Sequence, residues 1–218
     1  MLIQALRSSI YYVTSDMGRN QHQVRRTVAA VLRAGVGMVQ LRAKSLSRRD
    51  LIEEASALVR MTRAAKVPLI IDDCVDVALA VGADGVHLGA EDLPVAYARR
   101  LMGPTAIIGA TTPTPEDARI AQADGATYVA VGAIYPSPTR PEKPVLGLEA
   151  LEAVRAVTTL PVCAIGGVGP EHLEEVVAHG AELLAVISAI SDQPDPEAAA
   201  RELVRHAARI KRPGHIGV

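Results

Sequence analysis

The chain has 218 residues, of which 49% are hydrophobic, and it contains five Tyr but no Phe and no Trp. The apolar fraction excludes a disordered chain, and the formal net charge of −1 argues against a non-specific nucleic-acid binder, which is normally basic. Without Phe or Trp, the sequence also lacks the usual aromatic platform on which single-stranded nucleic acid stacks.

Short apolar runs alternate with amphipathic stretches along the whole chain. The runs mostly lack polar alternation, which is typical of strands that are covered on both faces. The predicted strands are 10–14, 38–42, 68–71, 85–88, 106–109, 128–131, 162–165 and 183–187. The predicted helices are 21–34, 47–65, 75–81, 94–101, 115–123, 147–158, 170–179 and 196–210.

The regular alternation of these elements predicts the fold. Eight strand–helix units in 218 residues repeat about every 27 residues, which favours an α/β fold, a single (β/α)8 TIM barrel. A doubly wound open sheet is the competing architecture. No linker rich in Pro, Gly or Ser divides the chain, so we expect one domain over 1–218. The barrel itself is expected over about 10–211, between a short N-terminal extension and a C-terminal tail.

The cysteines and the N-terminus favour a cytoplasmic protein. Cys74 and Cys163 lie in apolar runs and form no CxxC pair, which is typical of small buried side chains and not of disulfides or zinc ligands. The first ten residues are too short, and too soon interrupted by Arg7, for a signal peptide. No apolar run approaches the roughly 20 residues that span a bilayer, so no membrane partner is expected.

Polar residues cluster where the predicted strands end. Strand 2 leads into Arg42 and Lys44, and strands 3 and 4 lead into Asp72, Asp73 and Asp92. In a barrel of this kind the chemistry lies at the carboxyl ends of the strands, so these side chains are expected on one rim. Carboxylates on adjacent strands can share Mg²⁺, and cations beside them can bind phosphate oxygens. Together they indicate a diphosphate site, although each residue alone is also explained by helix capping or a solvated surface.

A second phosphate site is indicated at the ends of strands 7 and 8. Gly166 and Gly167 follow one strand and Ser188 follows the other, which matches the phosphate grip common in such barrels. The Pro-rich stretch 132–147 after strand 6 predicts an ordered loop over the mouth, and a plain long connection is the alternative. His87 is interpreted as a satisfied core or rim side chain more readily than as a base.

Several segments taken together resemble the thiamine-phosphate synthase family. They are VQLRAK, LIIDDCVDVALAVGADGVHLGAEDLP, IYPSPTRPEKPVLGLEAL, AIGGV and VISAI, and the resemblance runs from about Tyr12 to Ser191. It implies a (β/α)8 barrel that joins hydroxymethylpyrimidine diphosphate to thiazole phosphate and releases diphosphate. Ionisation of the pyrimidine diphosphate to a cation is implied to come first, followed by capture by the thiazole nitrogen, so no protein nucleophile is required.

The resemblance also implies a role for each matching position. The catalytic cations would be Arg42, Lys44 and Arg140, and the Mg²⁺ ligands would be Asp73 and Asp92. The contacts to the pyrimidine diphosphate would be Gln40, Leu41, Arg42, Ala43, Lys44, Asp72, Thr111 and Arg140. The contacts to the thiazole phosphate would be Ser137, Pro138, Thr139, Gly167, Ile187 and Ser188.

This chain departs from the family pattern at several positions. Asp72, Thr111, Arg140 and Ser137 stand where the family usually has Asn, Ser, Lys and Thr, and Ala43 and Pro113 stand where Glu and His are common. Only Asp72 adds a negative charge beside the diphosphate. Tyr135 stands where Phe is common, and it is the Tyr expected nearest the substrates, with a packing role as the alternative.

Two other functions are compatible with the same sequence. One is an isomerase of the thiazole tautomerase kind, which shares the barrel but lacks the full diphosphate apparatus. The other is a barrel that binds a thiamine precursor without catalysis. Retention of Arg42, Lys44, Asp73 and Asp92 favours the synthase. Nothing in the sequence decides the oligomeric state, so a homo-oligomer stays open.

Overall fold

The predicted barrel is present. The computed structural model describes residues 2–15, 20–137 and 144–210, and its eight parallel strands close in sequence order, from β1 round to β8. The strands are β1 (Ile10–Val13), β2 (Met38–Leu41), β3 (Leu69–Asp72), β4 (Gly85–Leu88), β5 (Ile107–Thr111), β6 (Tyr128–Val131), β7 (Val162–Ile165) and β8 (Leu183–Val186). Strands β1 and β8 pair with each other, so every strand has two neighbours and the sheet has no open edge.

A short helix, α1 (Leu2–Ala5), precedes β1, and its Leu2 packs against the cluster inside the barrel. The helices that follow the strands form the outer layer. They are α2 (Gln21–Ala34), α3 (Arg48–Ala65), α4 (Val75–Val81), α5 (Val95–Met102), α6 (Pro115–Ala123), α7 (Gly147–Arg155), α8 (Leu173–Ala178), α9 (Ser188–Ser191) and α10 (Pro196–Arg209). A 3₁₀ turn, Pro170–His172, leads into α8. No helix in the described ranges is long and apolar enough to cross a membrane.

Local sequence signals set the helix ends. Asn20 and Thr114 each cap a helix through a reciprocal capping box, with Gln23 for α2 and Asp117 for α6. Gly35 ends α2 in the left-handed conformation, with φ +92°, which an L side chain disfavours. These signals explain why the predicted bounds of α2 and α6 agree with the observed ones.

Alternation along each strand divides the core into two layers. On β1, Ile10 and Tyr12 belong to the large cluster between the strands and the helices, whereas Tyr11 and Val13 belong to a smaller cluster inside the barrel. Successive strand residues point to opposite faces, so each strand sends every second side chain into the barrel. This alternation determines which polar side chains face the barrel mouth.

The observed elements differ from the predicted ones mainly at their ends. Strand β5 continues to Thr111, two residues beyond the predicted end, because Thr111 still pairs with Ala130 of β6. Helix α7 ends at Arg155 instead of residue 158. The four-residue helices α1 and α9 were not predicted, since so short a segment shows no helical period.

The two cysteines differ in their surroundings. Cys163 is buried inside the barrel, and burial raises the pKa of its thiol to about 12. Cys74 is only half-buried and contacts the Arg48 guanidinium, so the expectation of a fully buried side chain is wrong for this residue. It directly precedes α4 and lines a cavity at the edge of the barrel mouth.

This difference predicts the result of thiol labelling. Because the thiolate is the reactive species, native protein at pH 8 is expected to take up iodoacetamide at Cys74 and not at Cys163. Unfolding in guanidinium should make both thiols reactive. Peptide mass spectrometry distinguishes the two sites, and native-state labelling of Cys163 at the rate of Cys74 would contradict the buried position.

Candidate active site

A cavity of about 530 Å³ opens at the carboxyl ends of the strands. Its wall is built by every second residue of each strand, because only these side chains point into the barrel. The inward residues that line it are Tyr11, Val13, Gln40, Asp72, His87, Thr111, Ala130, Cys163, Ile165, Ala185 and Ile187. The residues that follow the strands complete the rim, among them Arg42, Lys44, Asp73, Asp92, Ser137 and Gly166.

Cations and carboxylates meet on one side of this rim. The Arg42 Nε lies 3.8 Å from Asp72 Oδ2, and the Lys44 Nζ lies 3.3 Å from the same oxygen and also contacts Asp73. Thr14 holds the Arg42 backbone, since its Oγ1 donates to the Arg42 carbonyl at 3.1 Å and accepts from the Arg42 N–H at 2.9 Å. Arg42 is therefore fixed by both its main chain and its side chain.

Asp72 lies in an environment that disfavours its charge. The pKa of its carboxyl is raised to about 6, chiefly by burial and also by the negative charge of Asp73. The positive charges of Lys44 and Arg42 lower it and limit the rise. For Lys44, burial acts to lower the pKa, but the contacts with Asp73 and Asp72 outweigh it and raise the pKa.

Asp73 and Asp92 bring two carboxyl groups together. Asp73 has φ +62°, a left-handed conformation that costs an L-residue roughly 1–2 kcal/mol, and its N–H donates to the His87 carbonyl at 2.8 Å. Asp92 accepts the Gly89 N–H at 2.7 Å, which orients its carboxyl toward the mouth. Burial raises the pKa of Asp92, and its side-chain contact with Asp73 raises it further.

This donor set fits a hard divalent cation. Two adjacent carboxylates repel each other, and a cation between them would remove that repulsion. Mg²⁺ commonly takes one or two carboxylates and completes its shell with water and substrate phosphates. Within the described ranges no group of three or more His, Cys, Asp or Glu side chains forms a complete metal cage. The two carboxyl groups therefore fit a hard divalent cation that takes its remaining ligands from water or a bound ligand.

On the other side of the mouth, glycines let two main-chain segments pack closely together. A Cβ on Gly166 would lie 2.6 Å from Ala133, and one on Gly167 would lie 2.6 Å from the Pro136 carbonyl oxygen. Ser137, Gly166 and Ile187 line the cavity, whereas Gly167 does not and packs against the β6–α7 loop. Ser188 follows Ile187 as the first residue of α9.

Some predicted site residues lie elsewhere. Leu41 is 1% exposed and packs in the outer cluster, because at its position on β2 the side chain points away from the barrel interior. Ala43 does not line the mouth cavity but an adjoining one of about 700 Å³, which shares Lys44, Asp72, Asp73 and Asp92 with it. Pro138, Thr139 and Arg140 fall outside the described residues, as does much of the predicted loop over the mouth.

Sequence reasoning missed Tyr11, which lines the cavity, and Tyr128, which lies behind it. Tyr11 and Tyr128 are buried, their Oη atoms lie 2.9 Å apart, and they join His87 and Gln40 in one hydrogen-bonded group. The alternation of side chains along β1 and β6 could have predicted that both tyrosines point into the barrel. Tyr135, by contrast, stacks on His172 with ring centroids 3.9 Å apart and donates its Oη–H to Glu175 at 2.6 Å, so the structure favours its packing role.

Comparison with known sequences finds one family. The family described as thiamine monophosphate synthase matches residues 10–190. A thiamine-phosphate synthase of Roseiflexus castenholzii is 43% identical over 204 residues, which cover 93% of this chain and 90% of that protein. One of Natronomonas pharaonis is 44% identical over 197 residues, which cover 89% and 92%.

Solved structures with the same fold agree. Thiamine phosphate pyrophosphorylase from Pyrococcus furiosus superposes with a TM-score of 0.84 at 34% identity, over 95% of this chain and 98% of that one. A 3-hexulose-6-phosphate synthase superposes with a TM-score of 0.70 at 21% identity, over 90% and 98%. The second likeness concerns the fold alone.

Proposed function

The chain belongs to the thiamine monophosphate synthase family, and on that premise we propose that the mouth of its barrel forms thiamine phosphate from two phosphorylated precursors. The first would be hydroxymethylpyrimidine diphosphate and the second thiazole phosphate, with diphosphate as the other product. The observation that carries this proposal is the 530 Å³ cavity, which meets a cation–carboxylate cluster on one side and close main chain on the other.

The diphosphate would bind on the side of β2, β3 and β4. Asp73 and Asp92 would hold Mg²⁺, which when bound neutralises charge on the departing diphosphate. Arg42 and Lys44 would exchange part of their contact with Asp72 and Asp73 for phosphate oxygens, Arg42 through paired N–H groups and Lys44 as a point charge. Their positive charge is already in place before the leaving group develops its own.

The pyrimidine ring would lie deeper, over the barrel interior. An aminopyrimidine is electron-rich and can stabilise positive charge on its methylene carbon, so cleavage of the C–O bond would precede attack by the thiazole nitrogen. The protein then needs no nucleophile, and burial raises the pKa of both thiols, for Cys74 despite the opposing contact with Arg48. Arg140, predicted to stabilise the leaving group, lies outside the described residues.

The thiazole phosphate would bind on the side of β7 and β8. Gly166 at the end of β7 lines the cavity and would offer main-chain N–H to a phosphate, and Ser137 and Ser188 would add hydroxyl donors. This places the two phosphates on opposite sides of the mouth, with the reacting carbon and nitrogen between them.

Mixing the two substrates with Mg²⁺ tests the proposal. Release of diphosphate in step with formation of thiamine phosphate is the expected result, and chelation of Mg²⁺ with EDTA should stop it. Turnover of thiazole phosphate alone, without diphosphate release, would instead indicate an isomerase. Binding of both compounds without any product would indicate a non-catalytic barrel.

Asp72→Asn is expected to be tolerated. Asn keeps the size of the side chain and an oxygen that can accept from Lys44, and it removes a buried negative charge that burial already disfavours. We expect kcat/KM within about threefold of the unchanged protein, since loss of the ion pairs with Arg42 and Lys44 leaves both cations to the diphosphate. Loss of turnover with an intact circular dichroism spectrum would show that Asp72 has a role of its own.

A further inference from the structure

A continuous hydrogen-bond chain crosses the barrel beneath the cavity. Gln40 Nε2 donates to Tyr11 Oη at 2.7 Å, and the Tyr11 and Tyr128 hydroxyls lie 2.9 Å apart. His87 follows, with Nδ1 3.0 Å from Tyr128 Oη and Nε2 3.0 Å from Thr111 Oγ1. This hydrogen-bond chain links five strands, and its step from Tyr11 to Tyr128 joins residues 117 positions apart across the barrel interior.

The donors and acceptors give this chain one direction. Because the Gln40 amide donates to Tyr11, the assignment that satisfies every member of the group has Tyr11 donate onward to Tyr128. Tyr128 in turn donates to His87 Nδ1, so the proton of a neutral His87 is on Nε2 and is donated to Thr111. Both Tyr side chains are fully buried, and burial raises the pKa of each well above 10, so both remain donors near neutral pH.

The two ends of the chain face the substrate cavity. Gln40, Tyr11, His87 and Thr111 line the cavity, whereas Tyr128, which joins the two pairs, lies behind them and is absent from its wall. Gln40 lines the cavity and spends an amide N–H on Tyr11, so its Oε1 is the atom with which it would accept from a ligand there. With its oxygen accepting from His87, Thr111 has its O–H to donate into the cavity. The chain thus sets an acceptor on one wall and a donor on the other.

We propose that Tyr128 is a positioning residue for the pyrimidine ring, which acts through Tyr11 on Gln40 and through His87 on Thr111. Within the described residues, Tyr128 joins the Gln40–Tyr11 pair to the His87–Thr111 pair, because it contacts both Tyr11 and His87. Gly109 makes room for it, since a Cβ there would lie 2.1 Å from Tyr128 Cζ and 2.6 Å from His87 Nδ1. The inference rests on the proposed function for the identity of the ring above it.

Tyr128→Phe tests the role of the hydroxyl while the ring is kept. We expect binding of hydroxymethylpyrimidine diphosphate with Mg²⁺ to weaken about tenfold, as for loss of an oriented pair of buried hydrogen bonds. Binding of inorganic diphosphate with Mg²⁺ should not change, and neither should KM for thiazole phosphate. Isothermal titration calorimetry with both diphosphates separates an effect on the ring from one on the phosphates.

Tyr12→Phe is the matched control. Tyr12 is also a buried β1 residue, and its Oη lies 2.8 Å from Ser191 Oγ in the outer layer, away from the cavity. It should lose thermal stability to a similar degree and keep wild-type affinity for the pyrimidine diphosphate. Equal ligand affinities in Tyr12→Phe and Tyr128→Phe would overturn the proposal, as would an equal loss of affinity for inorganic diphosphate in Tyr128→Phe.

A second variant keeps the test decisive if Tyr128→Phe does not fold. Tyr11→Phe breaks the same chain one step away and should give the same selective loss. In the double variant the two losses should not add, because either one already interrupts the chain. Full additivity, or no selective loss in Tyr11→Phe, would contradict the inference. An active wild-type enzyme shows in each case that the proposed function itself still holds.

Discussion

Asp92→Asn is expected to lower kcat/KM for the pyrimidine diphosphate about 100-fold or more at saturating Mg²⁺. The variant replaces one of two facing carboxylates by a neutral amide, and Mg²⁺ binds amide oxygens less strongly than carboxylates. The amide oxygen can still accept the Gly89 N–H, which Asp92 accepts at 2.7 Å, so the local turn should persist. The loss therefore reports on charge and not on folding.

A magnesium titration measures this effect. The Mg²⁺ concentration for half-maximal rate should rise at least tenfold in Asp92→Asn, because one of the two predicted ligands has lost its charge. Asp76→Asn is the control, since Asp76 is an exposed carboxylate near the same rim that pairs with Arg48 at 3.4 Å. It changes the net charge by the same amount and should leave turnover unchanged. Near-normal turnover in Asp92→Asn would remove Asp92 from the metal site.

Arg42→Ala is expected to lower kcat about 10- to 100-fold, the range for loss of one or two charge-assisted hydrogen bonds. Its guanidinium is 16% exposed and lies at the point where β2 opens into the cavity. Because it would bind the leaving diphosphate, the loss should fall on the chemical step more than on capture of the thiazole phosphate. Single-turnover kinetics measures that step directly.

Arg48→Ala provides the comparison for this change. Arg48 is a cation on the same side of the barrel, but its side chain is 61% exposed and pairs with Asp76 outside the mouth. Its removal should alter kcat by less than about twofold, as is usual for an exposed ion pair. Equal losses in Arg42→Ala and Arg48→Ala would indicate that general positive potential, and not a placed guanidinium, serves the reaction.

The local chain determined much of the fold. Apolar runs without alternation mark strands that are covered on both faces, and caps such as Asn20 and Thr114 mark the start of helices. The number and spacing of these units then favour a closed barrel over an open sheet. The polar residues that follow β2, β3 and β4 could be placed on one rim for the same reason, because parallel strands carry their carboxyl ends to the same side.

Strand ends were less predictable than strand positions. Asp72 and Thr111 were expected just beyond their strands, but each is the last residue of one, so both side chains point inward. Leu41 stands between the inward residues Gln40 and Arg42 and therefore packs outward. A shift of one residue along a strand moves a side chain from the cavity wall to the outer core. Local sequence does not determine strand ends to within one residue, so these positions could not be predicted.

The sequence by itself thus determined the barrel, the rim that carries the charges and the residue types available for a diphosphate. The tertiary structure alone decided that Tyr11 and Tyr128 meet across the barrel. This contact joins residues 117 positions apart in the sequence, and it exists only because closing the sheet turns β1 and β6 to face each other across the barrel interior. Propensity and spacing act over a few residues, whereas such contacts depend on how the whole barrel closes.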